Sequence, residues 1–338
     1  MTNFWETTCF PACFVVFPPD TEFRRAAFYL AAEEYLAQFL PEDDYVFTWC
    51  LHPTVVIGRN QVAHQEINLD FCKENNIDVI RRKSGGGAIY ADEGNIMVSL
   101  VTRSGKVEPL FIQYATAEVE GLRALGAPVS LSGRNDIILE GKGKICGNAF
   151  YHLTNRNIVH GTMLYDTNMY YMLGALNPDI KKLESKGVQS IRSRVGFLKD
   201  SLSISVSELR KELRKMLTNR SVELTEKDIH IIEKLEQNYY SPDFLYGSPS
   251  KADIERSRHI EGCGTIEIKL HLKGSQIDKT ELSGDFFELE SATPAFNNAL
   301  KGINFTYESV KEALERNNPE KCIRNLRKED FLETLFST

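Results

Sequence analysis

The sequence lacks the features that would direct it to a membrane or out of the cell. No apolar run approaches the roughly 18 residues of a membrane span, and the N-terminus has no basic region followed by an apolar core, so we expect neither a membrane anchor nor a signal peptide. The seven cysteines are scattered and contain no Cys-x-x-Cys pair, which argues against a zinc site or a disulfide framework. A reducing, cytoplasmic location is the simplest expectation.

The chain also lacks an excess of positive charge. Its 338 residues carry a net charge of −7, whereas a general nucleic-acid binder is usually basic. A nucleotide ligand remains compatible, because its site needs only local positive charge. Repeats and low-complexity tracts are missing too, and 42% hydrophobic residues with 26% charged residues describe a folded protein of one large or two medium domains.

What is present is a pattern of alternating strands and helices, followed by a smaller unit. A stretch rich in Ser, Pro, Gly and Tyr at 239–251 marks the boundary, so we divide the chain into 1–246 and 252–338. The second unit is α+β, with strands at 265–272 and 275–282 and three short helices. Strands are predicted in the first unit at 14–17, 45–49, 54–57, 78–82, 95–102, 136–140, 144–150 and 159–164. Helices are predicted at 21–40, 68–76, 112–125, 168–176, 205–217 and 226–237.

The most unusual stretch is Arg81-Arg82-Lys83-Ser84-Gly85-Gly86-Gly87-Ala88-Ile89-Tyr90. Consecutive glycines permit positive φ and let another group lie directly on the backbone, and three cations precede them. This predicts a slot for an acyl chain or a phosphate-bearing ligand, with an ordinary glycine turn as the alternative. It is not a P-loop, because Ala88 rather than Lys follows the last glycine, nor a Rossmann fingerprint, because a strand follows rather than a helix.

Lys144 lies on a predicted hairpin strand, where residue alternation puts Lys144, Cys146 and Asn148 on one face. Lys144 is either a solvated edge charge or a fixed cation beside a reacting carboxylate and phosphate. Cys146 is favoured as a packing residue, with an acyl-accepting thiolate as the alternative.

Two further polar stretches also carry candidate site residues. Asn135 and Asp136 make either an Asx turn or contacts to a ribose, a phosphate or magnesium. His160, followed by Gly161 and Thr162 in an apolar strand, is usually a satisfied core residue.

Taken together, several stretches resemble the lipoate–protein ligases in their two-domain form with a C-terminal accessory domain. They lie between residues 20 and 245, and Gly284-Asp285-Phe286-Phe287 extends the resemblance into the tail. The stretches that carry it are 53–61, 81–90 with 92–95, 133–136 with 143–149, 160–162, 176–178, 186–187 and 190–195.

The resemblance implies a mixed, mainly antiparallel sheet with flanking helices, of the biotin/lipoate ligase type. It implies that lipoate, or octanoate, is activated with ATP and Mg²⁺ to an acyl-adenylate with release of pyrophosphate. The acyl group then passes to a lysine of an apo lipoyl domain, in a 2-oxoacid dehydrogenase acyltransferase subunit or the glycine-cleavage H protein. We expect a monomer that binds neither nucleic acid nor membrane.

The resemblance also implies roles for residues at matching positions. Lys144 would be catalytic and would bridge the acyl carbonyl and the phosphate. Asp136 would also hold the metal. ATP and the adenylate would be bound by Arg82, Gly87, Ala88, Ile89, Tyr90, Asn135, Asp136 and Lys144. Lipoate would be bound by Ser84, Gly85, Gly86, Lys144, His160, Gly161 and Thr162.

Two departures from the family pattern leave alternatives. Ala91 stands where the family often has histidine, so a polar contact near the nucleotide is missing or replaced. Cys146 stands where serine is commoner. This raises the alternative that the protein is an ATP-independent acyltransferase that forms a thioester. A non-catalytic carrier of the acyl-adenylate is a further alternative. A biotin ligase would carry a Gly-Arg-Gly-Arg loop, and the sequence has none.

Overall fold

A computed structural model describes residues 12–103, 105, 107–132, 136–153, 156–176, 195–246 and 252–337. The strands are β1 (Ala12–Val16), β2 (Tyr45–Trp49), β3 (Thr54–Ile57), β4 (Asp78–Arg81), β5 (Ile89–Ala91), β6 (Asn95–Thr102), β7 (Val129–Ser132), β8 (Asp136–Leu139), β9 (Gly143–Leu153), β10 (Arg156–Leu164), β11 (Thr218–Glu223), β12 (Ile254–Ile260), β13 (Gly264–Lys273) and β14 (Gln276–Gly284). The α-helices are Ala26–Phe39, Ala63–Glu66, Leu69–Glu74, Val107–Ala124, Met169–Ala175, Val206–Leu217, Glu226–Glu236, Pro242–Tyr246, Ala292–Leu300, Tyr307–Asn317 and Lys328–Phe336.

The central element is an eight-stranded sheet in the order β11-β1-β2-β6-β10-β9-β8-β7. Strand β1 runs parallel to both β2 and β11, and the other neighbours are antiparallel. The expected mixed, mainly antiparallel sheet is therefore confirmed. Apolar side chains fill both faces, with the Ala26–Phe39 helix on one side and the Val107–Ala124 and Val206–Leu217 helices on the other. Burial of both faces excludes water from the middle of the sheet.

A second, three-stranded sheet has the order β4-β3-β5. The glycine stretch connects β4 to β5, which pair with opposite edges of β3. The chain must therefore cross the end of β3 between Arg82 and Ala88. This crossing positions the glycines against the large sheet, where the candidate site lies.

The C-terminal unit consists of the antiparallel sheet β12-β13-β14 and three helices, of which β13, β14 and the helices were predicted. Its hydrophobic cluster is built from residues between Ile254 and Phe336. Phe287 is different, because its ring belongs to the core cluster of the large sheet. The backbone also joins the two parts: Gly284 N donates to Asn60 O at 2.7 Å, and Gly86 N donates to Phe286 O at 3.2 Å.

Several strands were not predicted. Strand β11 reads Thr-Asn-Arg-Ser-Val-Glu, and this polar edge strand lacks the apolar alternation that indicates a strand. Strands β5, β7 and β12 were missed as well; β12 is largely exposed along its length. The predicted linker contains the helix Pro242–Tyr246, whereas residues 247–251 lie outside the described ranges.

Among helices in the described part of the chain, none is both long and apolar enough to cross a lipid bilayer.

Candidate active site

A cavity of about 270 Å³ lies between the glycine stretch and strands β9 and β10. Most of its apolar lining residues are buried, whereas the side chain of Lys144 is 42% exposed, so Lys144 marks the open end, or mouth, of the cavity. The lining includes Leu30, Trp49, Val56, Ile89, Met97, Ala149, Leu164 and Met172, together with Arg82, Gly86, Gly87, Ala88, Tyr90, His160, Thr162 and Phe287. An apolar chamber with a cation at its mouth suits a carboxylic acid with an apolar tail.

The three cations before the glycines do not act together, contrary to the expectation of one positive cluster. Arg82 faces the cavity. Arg81 turns to the other side, where its guanidinium donates to the carbonyls of Gly58, Gln61 and Leu245. Lys83 lies 2.7 Å from Glu34. Successive strand residues point to opposite faces, so Arg82 contributes to the cavity while Arg81 binds backbone carbonyls on the other side.

Arg82 holds the shape of the glycine stretch. Its Nη2 donates to Gly85 O at 2.7 Å and to Gly87 O at 2.8 Å, and its Nε donates to Ser84 Oγ at 2.9 Å. Burial lowers the pKa of Arg82 to about 10, with Arg81 contributing, so the guanidinium stays charged at neutral pH. The structure gives Arg82 a scaffolding role beside the phosphate contact predicted for it.

The three glycines have three different surroundings. A Cβ on Gly85 would lie 2.4 Å from Phe286 O, so Gly85 seats the C-terminal unit. Gly86 has φ +86°, a conformation that favours glycine. A Cβ on Gly87 would meet open space, and Gly87 lines the cavity. Ser84 is fully buried behind the wall. Neither Ser84 nor Gly85 is part of the cavity lining, and lipoate binding by these two residues stays a prediction.

Lys144 lies at a β-bulge, which overturns the predicted face assignment. The register pairs Cys146 with Ile137 and Lys144 with Ile138, so Ile145 is the extra residue. The lysine side chain therefore lies over Gly147, whose added Cβ would be 2.8 Å from its Cε and Nζ. Its ammonium is 2.7 Å from Asp136 Oδ1. Position 147 holds a glycine because the side chain of Lys144 lies directly against the backbone there.

Cys146 points to the opposite face, into the core cluster of the large sheet. Burial raises the pKa of its thiol well above the ordinary value, although Lys144 acts in the other direction. A protonated thiol buried away from the cavity cannot accept an acyl group there. The packing interpretation of Cys146 agrees with this geometry, and the thioester alternative does not.

His160 and its neighbours follow the alternation of β10. His160 and Thr162 line the cavity. A Cβ on Gly161 would instead lie 2.1 Å from Asn148 Oδ1, so Gly161 faces the other side of the sheet. Gly161 is not part of the cavity lining, so its contact with lipoate stays a prediction, and its lack of a side chain makes room for Asn148.

The remaining predicted residues differ in how they are placed. Asp136 is beside Lys144, and Asn135 lies outside the described residues. Ala88, Ile89 and Tyr90 line the cavity, and their contact with the adenylate stays a prediction. Ala91 is fully buried in the apolar cluster under the Ala26–Phe39 helix. A histidine at this position would enter that cluster, so Ala91 replaces a polar contact with packing.

Sequence reasoning missed two residues at the site. Phe287 comes from the C-terminal unit and stacks on Phe150 with ring centroids 5.6 Å apart and planes 13° apart. Glu33 is fully buried and accepts from His160 Nδ1 at 2.9 Å. A signal for Glu33 was present in the sequence, since it is a charged residue inside an otherwise apolar helix stripe.

Comparison with known proteins identifies the family. The family model for the lipoyl protein ligase A/B catalytic domain matches residues 25–218, and the model for the bacterial lipoate protein ligase C-terminus matches residues 250–335. The lipoate-protein ligase LplJ of Bacillus subtilis is 35% identical over 321 residues, covering 91% of this chain and 96% of that protein. The chain therefore belongs to the lipoate–protein ligase family.

Solved structures agree with this assignment. A bi-partite lipoate protein ligase from Thermoplasma acidophilum, described with its E2 lipoyl domain, has a TM-score of 0.64 at 26% identity, covering 73% of this chain and 100% of that chain. A lipoate-protein ligase A bound with ATP has a TM-score of 0.59 at 25% identity, covering 70% of this chain and 99% of that one.

Proposed function

We propose that this protein joins lipoate to lysine side chains of apo lipoyl domains in an ATP-dependent reaction. The observation that carries the proposal is the ammonium of Lys144 at the mouth of an apolar cavity, with the glycine stretch as one wall. An apolar tail would enter the cavity and leave its carboxylate beside the lysine. The family assignment and the ATP-bound relative support the same chemistry.

The reaction has two steps. A carboxylate oxygen attacks the α-phosphorus of ATP, the bond to pyrophosphate breaks, and lipoyl-AMP forms. The ε-amine of the acceptor lysine then attacks the acyl carbonyl, and AMP leaves with the bonding electrons. Lys144 stabilises the negative charge that develops on the phosphate and then on the carbonyl oxygen. The chain supplies position and charge rather than a nucleophile, in line with the protonated, buried Cys146.

Mg²⁺ is proposed as the metal, with Asp136 as its protein ligand. Magnesium usually keeps waters and uses one or two carboxylates together with substrate phosphates. Among the described residues, no cluster of three or more His, Cys, Asp and Glu side chains could hold a metal, and a lone Asp136 fits a metal that arrives with the nucleotide. The ion would neutralise phosphate charge. Asp136 now pairs with Lys144, so nucleotide binding would separate these two side chains.

The division of labour along the chain is also proposed. Residues 1–246 would form the catalytic unit and residues 252–338 the accessory domain, and the separate hydrophobic cluster of the latter supports this. The acceptor would be the lipoyl domain of a 2-oxoacid dehydrogenase acyltransferase subunit or the glycine-cleavage H protein. A monomer in the cytoplasm is proposed, where a reducing medium keeps thiols such as the described free cysteines reduced.

The test is a reconstitution. The protein is incubated with lipoate, magnesium-ATP and an apo lipoyl domain, and the acceptor is weighed by mass spectrometry. A lipoyl mass gain that requires ATP is expected. The Lys144→Ala variant should lose lipoate-dependent pyrophosphate release while its circular dichroism spectrum is unchanged. No mass gain with wild-type protein would refute the proposal, and gain from a thioester donor without ATP would favour an acyltransferase.

A further inference from the structure

A buried row of polar side chains runs behind the cavity wall. Trp49 Nε1 donates to Ser99 Oγ at 2.9 Å, and Ser99 Oγ donates to Glu33 Oε1 at 2.6 Å. On its other side Glu33 meets His160 Nδ1 at 2.9 Å, and His160 Nε2 is 2.7 Å from Ser84 Oγ. Arg82 ends the row by donating to Ser84. Glu33, Ser84 and Ser99 are fully buried, so these bonds replace bonds to water.

The chemistry of the groups limits the direction of each bond. Trp49 and Arg82 can only donate, and an ionised Glu33 can only accept. His160 must therefore carry a proton on Nδ1 to serve Glu33. In the tautomer that has no second proton, Nε2 accepts the hydroxyl hydrogen of Ser84. The row thus carries a positive charge at Arg82 and a negative charge at Glu33, and the carboxylate compensates the buried charge of the guanidinium.

This directionality has two consequences for the cavity. Both ring nitrogens of His160 are engaged by the protein, so the imidazole offers ring carbons to an apolar ligand. Ser84 keeps the guanidinium of Arg82 oriented, and that guanidinium holds the carbonyls of Gly85 and Gly87. The shape of the glycine wall therefore depends on the row behind it.

We propose that Glu33 is a positioning residue that fixes the His160 tautomer and, through Ser84 and Arg82, the shape of the glycine wall. Its carboxylate acts through His160 and Arg82, which themselves line the cavity. The functional readout of this inference rests on the proposed ligase activity, whereas its structural readout does not.

The chain offers a matched control. Glu34 follows Glu33 on the same helix and is also buried, but it pairs with Lys83 and accepts from Tyr239 instead. Glu33→Gln and Glu34→Gln therefore remove the same charge from neighbouring sites. Both should lower the melting temperature, so a loss of stability alone would not separate them.

The first measurement is the ¹⁵N spectrum of the histidine rings in the ligand-free full chain, with His160 assigned by the loss of its signal in His160→Gln. Wild type and Glu34→Gln should show a proton on Nδ1. In Glu33→Gln the two tautomers should mix, because the introduced side-chain amide can both donate and accept. A proton on Nε2 in wild type, or an unchanged spectrum in Glu33→Gln, would overturn the proposal.

The second measurement is lipoate-dependent pyrophosphate release. Glu33→Gln should raise KM for lipoate about tenfold, the effect expected for a lost charge-assisted hydrogen bond, with a smaller change in kcat. Glu34→Gln should stay near wild type. Equal losses in the two variants would reject the positioning role. If even wild type shows no release, the proposed function fails, and the spectrum still decides the role of Glu33.

Discussion

Replacing Gly147 with alanine should disable the enzyme by moving one lysine. The added methyl would lie 2.8 Å from Cε and Nζ of Lys144, whereas ordinary contact begins near 3.4 Å. The end of the lysine must therefore move by at least about 0.6 Å. It can do so without unfolding the chain, because its side chain is 42% exposed.

The size of the effect follows from the tolerance of catalysis to misplacement. A 1 Å error in a positioned group can cost on the order of 10²-fold in rate. We therefore expect lipoate-dependent pyrophosphate release to fall about tenfold to hundredfold in Gly147→Ala, which corresponds to roughly 1.4–2.7 kcal/mol of activation free energy. Melting temperature should hold or rise slightly, because alanine suits a strand better than glycine.

A double-mutant cycle tests the cause. In a Lys144→Ala background the methyl has no lysine to displace, so adding Gly147→Ala should change neither the residual rate nor lipoate binding. If Gly147→Ala reduces lipoate binding equally in both backgrounds, the methyl blocks the ligand itself and the reasoning fails. A wild-type rate in the single variant would refute it as well.

Three further changes have distinct expected outcomes. Gly87→Ala points a methyl into the open cavity and should weaken lipoate binding at least tenfold in calorimetric titration, with an unchanged melting temperature. Cys146→Ser should keep more than about half of the ligation rate, since the thiol is buried and protonated. Burial raises the pKa of Glu118 to about 8, so wild-type stability should fall as pH rises from about 4.5 to 8, and Glu118→Gln should remove that decline, worth at most about 5 kcal/mol.

A specific experimental result would contradict each of these predictions. Full binding by Gly87→Ala would show that the ligand avoids the glycine wall. Complete loss of activity in Cys146→Ser, with the fold intact, would revive the thioester mechanism. For the pH experiment, Glu120→Gln is the control, because Glu120 is exposed on the same helix. Equal chemical-denaturation profiles for both variants between pH 5 and 8 would reject the assignment to Glu118.

The core strands could be predicted because their signal is local. The strand predicted at 95–102 corresponds to β6, whose residues are all buried, and the apolar run at 45–49 corresponds to β2. Pairing between distant segments has no such signal. Strand β11 pairs with β1 in parallel orientation, with Thr218 opposite Ala12. Nothing in either segment specifies a partner some two hundred residues away.

The direction of side chains at the site was harder to predict than their identity. Lys144 stands at the mouth of the cavity, where the family resemblance implies it should act. Simple alternation nevertheless put it on the same face as Cys146, because an extra residue, Ile145, interrupts the pairing. The sequence gives no sign of this bulge, because the extra residue, Ile145, is an apolar residue that is buried in the core.

Electrostatic partners were also beyond the sequence. Arg81, Arg82 and Lys83 read as one basic cluster, yet the strand separates them to different partners. Glu33 compensates Arg82 across the fold through His160 and Ser84, which requires three distant segments to meet. Such partners depend on the tertiary arrangement, not on spacing along the chain.

The position of Phe287 also affects how the protein unfolds. Its ring lies outside the C-terminal cluster and packs in the core cluster of the large sheet, where it is 2% exposed. Burying one phenylalanine side chain is worth roughly 1.5–3 kcal/mol, a factor of about ten to a hundred in an equilibrium constant. Opening either part therefore weakens the other by that factor. Heat and denaturant should melt the two parts in one transition, and Phe287→Ala should separate that transition into two.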